Sequence, residues 1–177
     1  VTMQGEVPVA LVTFIHGAWN TVTAALNPAK WIWGEDPVAP ADTQKTETFT
    51  RTFSLVTAPS DATLEMSADN GYVVSVNGTE VDDKSGVETN YSSVHSYEIA
   101  DLLVEGENTL EFTVTNFAQS GGTPSSNPAG LIYKLSVIDA DCGDPEVDHI
   151  TVVATKIVCD NESDLPNVMG ANHVTDA

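Results

Sequence analysis

Several groups of side chains in this sequence have types and spacings that could do chemistry. Trp31 and Trp33 stand two apart, so in an extended strand both rings leave the same face and could form a platform on which a sugar ring stacks. The favoured reading is that the pair fills a core at the entry of the domain. Asn90 beside Tyr91, and Asn116 with Gln119, place amide and phenol groups in polar surroundings, which are the donors and acceptors a hydroxyl-rich ligand requires. Asp69, Asp82, Asp83, Asp139 and Asp141 put carboxylate oxygens near the ends of expected strands, where a structural calcium ion could take them, although the spacing is neither EF-hand nor repeat-type. Cys142 and Cys159 form no CxxC pair, have no histidines at zinc spacing and are candidates for a disulfide.

Catalytic chemistry has no comparable pattern. His16, His95, His149 and His173 fall in separate segments with no i, i+4 pair, and no serine sits in a Gly-x-Ser-x-Gly elbow. Paired carboxylates for glycoside hydrolysis would show only through their separation in space. The expectation is a chain that is not an enzyme. With 26 acidic against 6 basic residues, a formal charge of −20 excludes nucleic acid and anionic lipid as partners. No stretch is long and apolar enough for a membrane helix, so no direct membrane insertion is expected. The sequons at Asn77, Asn90 and Asn161 match the glycosylation pattern, which matters only in a glycosylating secretory host.

The elements that must position these groups read as strands. From Thr48 to Leu55, Phe49, Phe53 and Leu55 share one face with Arg51, while Thr48, Thr50, Thr52 and Ser54 share the other. Leu64, Met66 and Ala68 alternate with polar residues up to Asp69-Asn70-Gly71, and Tyr72, Val74 and Val76 alternate after it, which predicts a hairpin there. Asn77-Gly78 repeats that turn chemistry. Leu110, Phe112 and Val114, then Leu131, Tyr133, Leu135 and Val137, give two further core strands, separated by a polar loop from Gln119 to Asn127. Ile99 to Leu103 reads as a short helical or turn segment. No long stretch reads as an amphipathic helix, so the predicted class is all-β: a two-sheet antiparallel jelly-roll sandwich with extra terminal strands. Phe53, Leu64, Val74, Phe112 and Tyr133 should be buried.

The predicted organisation has an N-terminal strand region over 1–27, the sandwich over 28–139, a linker over 140–147, and over 148–177 a terminal strand and tail that is either the start of another module or a connector between subunits. The runs Val9 to Ile15 and Ile150 to Val158 are both strongly β-forming. The second is apolar on both faces, and a strand of that kind needs cover on both.

Four blocks carry a resemblance: Ala29-Lys-Trp-Ile-Trp-Gly34, Phe49-Thr-Arg-Thr-Phe53, Ala62 through Asp69-Asn70-Gly71-Tyr72 to Gly78, and Leu103-Val-Glu-Gly-Glu-Asn-Thr-Leu-Glu-Phe112. Over about 28–139 the chain resembles the galactose-binding-like jelly rolls, such as the accessory domains of bacterial alpha-L-rhamnosidases. The resemblance implies a non-catalytic module in which loop aromatic, Asn and acidic side chains meet any sugar, and in which a structural calcium ion is common. It carries no individual ligand position over to this chain. The stretch Lys156 to Asn167 resembles segments of large anchored or secreted bacterial surface proteins in which another domain follows, so that Cys159 could find its partner downstream and need not pair with Cys142. The function expected first is an extracellular structural or adhesive module of a cell-surface protein or filamentous appendage. Its partners would be copies of itself or neighbouring surface modules, met through the terminal strands. The alternative is a carbohydrate-binding module, or the accessory domain of a glycosidase, with glycans as partners.

Overall fold

The computed structural model describes residues 9–37, 42–138, 149–153 and 156–159. In chain order its elements are β1 (Ala10–Leu11), α1 (Asn20–Ala25), β2 (Ile32–Trp33), β3 (Lys45–Leu55), β4 (Asp61–Asp69), β5 (Gly71–Val76), β6 (Thr79–Asp83), β7 (His95–Glu98), β8 (Gly106–Asn116), β9 (Gly130–Ile138), β10 (His149–Val153) and β11 (Lys156–Cys159), with 3-10 turns at Gly17–Trp19, Asn90–Ser92 and Ala100–Leu102. The described strands form two antiparallel sheets that face each other, the all-β sandwich expected from the alternation.

One sheet has four strands in the order β3-β8-β5-β6. Its longest pairing runs from Lys45↔Asn116 to Leu55↔Gly106. Phe49, Phe53 and Leu55 of β3 and Leu110, Phe112 and Val114 of β8 point inward, while Thr46 to Thr115 and Thr48 to Thr113 join as hydroxyl pairs at 2.8 and 3.3 Å on the outer face. In the other sheet β9 is the spine. One of its edges pairs with β4 along its whole length, and β7 lies beyond β4. Its opposite edge is shared, Leu131 pairing with Ile32 of β2 and Lys134 to Ile138 with β10. Between the sheets lies a core that buries Phe53, Leu64, Val74, Phe112 and Tyr133 as expected.

The expected hairpin at Asp69-Asn70-Gly71 does not form. β4 and β5 belong to different sheets, so the chain crosses the sandwich at Asn70, and the Asp69–Asn70 peptide is cis. An Asp-Asn-Gly run marks a change of direction, and local chemistry does not say whether the next strand pairs with the last or leaves for the facing sheet. Asn77-Gly78 does close the expected hairpin between β5 and β6, with φ of 50° and 76°, the positive values a tight two-residue loop requires.

Among the described residues of the N-terminal region, less of the run from Val9 to Ile15 is strand than expected. Ala10–Leu11 alone of that run is paired, on β2, and a 3-10 turn and the six-residue α1 follow. Trp19, Val22 and Leu26 recur at three- and four-residue spacing, so one helical face gathers them. That face, with Ala29 and Trp31, buries Ile132 on the outer side of the β9 sheet as a second, smaller core. The segment expected to be one strand from Ile150 to Val158 is two, β10 and β11, paired antiparallel, with β10 on the half-edge of β9 that β2 leaves open. The proposed linker 140–147 lies outside the described residues.

Phe112 is 1 % exposed and meets Tyr133 with ring centroids 4.7 Å apart, so Phe112→Ala should lower unfolding stability by about 3–5 kcal/mol in a urea titration. Thr50→Ala on the outer face should change it by less than about 0.5 kcal/mol.

Candidate functional site

Crossing between sheets leaves Asn70 without a strand partner, yet each of its polar groups is used. Its backbone N–H donates to Thr115 O at 3.0 Å, and its carbonyl accepts from Asn90 Nδ2 at 2.9 Å. Its side-chain Nδ2 donates to Glu88 O at 3.0 Å, and its Oδ1 accepts from the Phe117 N–H at 2.8 Å. Thr115 and Phe117 flank Asn116, so Asn70 grips the β8 terminus on both sides of that residue. Close packing fixes the corner further: a Cβ on Gly71 would lie 2.3 Å from Ser85 O, and one on Gly130, opposite Asp69, would lie 2.7 Å from the Trp31 ring.

Asn116 continues the inward row of Leu110, Phe112 and Val114. It is fully buried, and among the described residues neither its Oδ1 nor its Nδ2 has a hydrogen-bond partner. A buried amide left unpaired destabilises by about 1–3 kcal/mol per group. Its strand neighbour Lys45 pairs with Glu35, and with Glu47 at 3.1 Å; the Glu35 hydrogen bond leads in raising the Lys45 pKa. Trp33 packs against Phe49 on the same side, and its Nε1 is also buried without a partner among the described residues. The loop after β8 returns where Asn127 Nδ2 donates to Phe117 O at 2.9 Å.

On the outer side of the corner, Trp19 Nε1 donates to Asp69 Oδ2 at 2.8 Å in a buried contact. Trp19 stacks on Trp31, with centroids 4.1 Å apart and planes 21° from parallel. Burial pushes the Asp69 carboxyl up to about 7, against the opposing pull of the Trp19 and Asn70 hydrogen bonds and with a smaller push from Glu88.

The residues singled out in the sequence fare differently. Trp31 and Trp33 are not a platform: both are buried, in different cores, because a two-residue strand is too short to carry the alternation between them. Asn90 is buried, and its Nδ2 also donates to Val87 O and Lys84 O, so in the fold it holds loops. Asn116 is buried rather than loop-exposed. Tyr91 is half-buried beside the second core and Gln119 is exposed, both near this end of the sandwich. Asp69 is committed to Trp19. Asp82 accepts from Tyr97 Oη at 2.6 Å and pairs with Lys84 at 3.1 Å, and the Tyr97 hydroxyl leads in lowering its pKa. Tyr97 meets Tyr72 Oη at 2.5 Å, and burial raises Tyr72 to about 12. Asp83 accepts from the Ser85 N–H at 2.8 Å. These three aspartates do not converge, and no group of three or more His, Cys, Asp or Glu among the described residues is placed to hold a metal ion. Asp139, Asp141 and Cys142 lie outside the described residues, and the described part of Cys159 is backbone only. Trp19 and Asn70 were not anticipated. The Trp19, Val22, Leu26 spacing could have signalled the first, whereas nothing local distinguishes Asn70 from a turn residue.

The chain is similar to solved structures. Over 73% of its length it is 29% identical to part of the alpha-L-rhamnosidase of Streptomyces avermitilis, solved with L-rhamnose, with a TM-score of 0.52. It spans 12% of that enzyme's chain. A lectin of Pleurotus ostreatus, solved with GalNAc, matches at 17% identity and TM-score 0.53 over 85% of this chain and 38% of its own. The fold is a galactose-binding-like sandwich. No family model matches the sequence, and no curated protein is significantly similar to it. In this sandwich the described residues include no helix long and apolar enough to cross a membrane.

The galactose-binding-like corner makes a pH prediction. An Asp69 pKa raised from 3.8 to about 7 disfavours the ionised carboxyl in the fold, so the associated stability is complete below pH 4 and is lost as pH rises through 7. In urea titrations the stability of the wild type relative to Asp69→Asn should fall on the order of 4 kcal/mol from pH 4 to pH 8. A pH-independent difference would place the carboxyl in a well-solvated site.

Proposed function

We propose that this chain is a non-catalytic, extracellular carbohydrate-binding module whose sugar site lies at the corner end of the sandwich. The Asn116 amide, fully covered in the fold without ligand, supplies the central hydrogen bonds once the side chains over it move aside, and Gln119, exposed three residues further along the chain, is a second contact. The observation that carries this reading is Asn116 itself, an amide held in place from both sides by Asn70 while its own donor and acceptor stay unpaired among the described residues. An amide presents a donor and an acceptor side by side, which matches two neighbouring sugar hydroxyls.

Two further features support a neutral sugar as the ligand. The enzyme that is 29% identical over most of this chain, and of which this chain spans 12%, was solved with L-rhamnose, a neutral deoxyhexose. Lys45, the cation paired in register with Asn116, is engaged by Glu35 and Glu47, and the chain carries a charge of −20, so an anionic sugar would meet net repulsion. The adhesive or filament reading drew on a terminal segment apolar on both faces; β10 pairs with β9 and β11 with β10, so the backbone of that segment finds partners within the chain.

Asn116→Leu keeps the size of the side chain and removes an unpaired buried amide, so its urea midpoint should equal or exceed that of the wild type. Binding of neutral deoxyhexoses and hexoses, screened on a glycan array and measured by calorimetry, should weaken at least about tenfold in the same variant. A wild type that binds no glycan, or an Asn116→Leu chain that binds as well as wild type, would contradict the proposal.

A further inference from the structure

We infer that Trp19 and Asp69 are positioning residues for the sugar site, acting on Asn116 through Asn70. The inference rests on the reading that Asn116 meets the sugar, and it extends the site to a segment on the opposite face of the β9 sheet. The mechanical path is continuous. Trp19 Nε1 donates to Asp69 Oδ2, Asp69 precedes Asn70 in the chain, and Asn70 bonds the residues on either side of Asn116.

Trp19 is itself held firmly. Its ring stacks on Trp31, Trp31 Nε1 donates to Thr23 Oγ1 at 2.8 Å, and Thr23 Oγ1 donates to Trp19 O at 2.9 Å, closing a loop of contacts. Val22, Leu26 and Ile132 pack around the same rings. The indole N–H therefore points from a fixed place, and the carboxyl that accepts it cannot swing. An apolar side chain at position 69 would fill the same space without desolvating a carboxyl, but it would give the Trp19 indole no acceptor and so lose the bond that fixes the crossing. What the pair supplies is geometry at the crossing, where Asn70 has no ladder to align it.

The experiment uses the full chain and three variants. Trp19→Phe keeps an aromatic ring and removes the donor, Asp69→Asn keeps an acceptor oxygen, and Asp69→Leu removes it. Two readouts are taken: affinity for the neutral sugar the wild type binds best, and the 1H–15N resonances of the Asn116 side-chain amide and the Phe117 backbone amide without sugar. The expected result is that Trp19→Phe and Asp69→Leu weaken binding about tenfold and shift both resonances, while Asp69→Asn restores affinity and resonances close to wild type. A Trp19→Phe chain with unshifted resonances and unchanged affinity would overturn the inference. So would an Asp69→Asn chain that loses as much as Asp69→Leu, because the carboxylate charge, through the sugar or a cation, would then be what matters. The resonances are read without sugar, so they decide the positioning even where the wild type binds no glycan and the reading of Asn116 fails on its own.

Discussion

A strand satisfies its backbone through its neighbours, and a residue that carries the chain from one sheet to the facing one has no neighbour of that kind. Asn70 is that residue. Its four polar groups reach Thr115, Phe117, Glu88 and Asn90, so one side chain and the two peptide groups that flank it tie β8, the 3-10 turn at Asn90–Ser92 and the segment leading into that turn to the crossing. An aspartate would lose the Nδ2 donor and an alanine both side-chain bonds. The arrangement of the corner end depends on this junction.

From the junction outward, the two cores take different parts. The inner core between the sheets is aliphatic and aromatic and supplies the bulk of the hydrophobic stabilisation. The outer core, built on Trp19, Trp31 and Ile132, is small but sits against the crossing and carries the buried Asp69 carboxyl. Stability and site geometry therefore separate: the inner core makes the sandwich, and the outer core aims one end of it. The unpaired Asn116 amide fits the same division, since it weakens the fold at the position where a ligand would use it.

Much of the sandwich was legible because period-two alternation is a direct consequence of one-sided burial. The run from Thr48 to Leu55 needed no partner to be read, and Asn77-Gly78 specified its hairpin through positive φ. The corner was legible only as a change of direction. Asp-Asn-Gly suits a hairpin turn and a crossing alike, and the choice is made by which sheet has an open edge, a tertiary fact. Trp31 and Trp33 are core residues, as favoured from the sequence, but their expected shared face fails for a related reason: spacing predicts a shared face only where the strand continues, and β2 ends at Trp33. Asn116 could have been assigned inward from the phase of Leu110, Phe112 and Val114, but polarity argued for the loop. That conflict between phase and polarity is where the candidate site lies.

The most direct test of the central claim is a crystal structure of the chain soaked with L-rhamnose or another neutral sugar that it binds. The account predicts the sugar at the corner end of the sandwich, with ring hydroxyls within hydrogen-bond distance of Asn116 Oδ1 and Nδ2 and with the Asn70 bonds to Thr115 and Phe117 intact. A sugar seated on the threonine-lined outer face of the β3–β8 pair, or at the opposite end of the sandwich with Asn116 still unpaired, would contradict it.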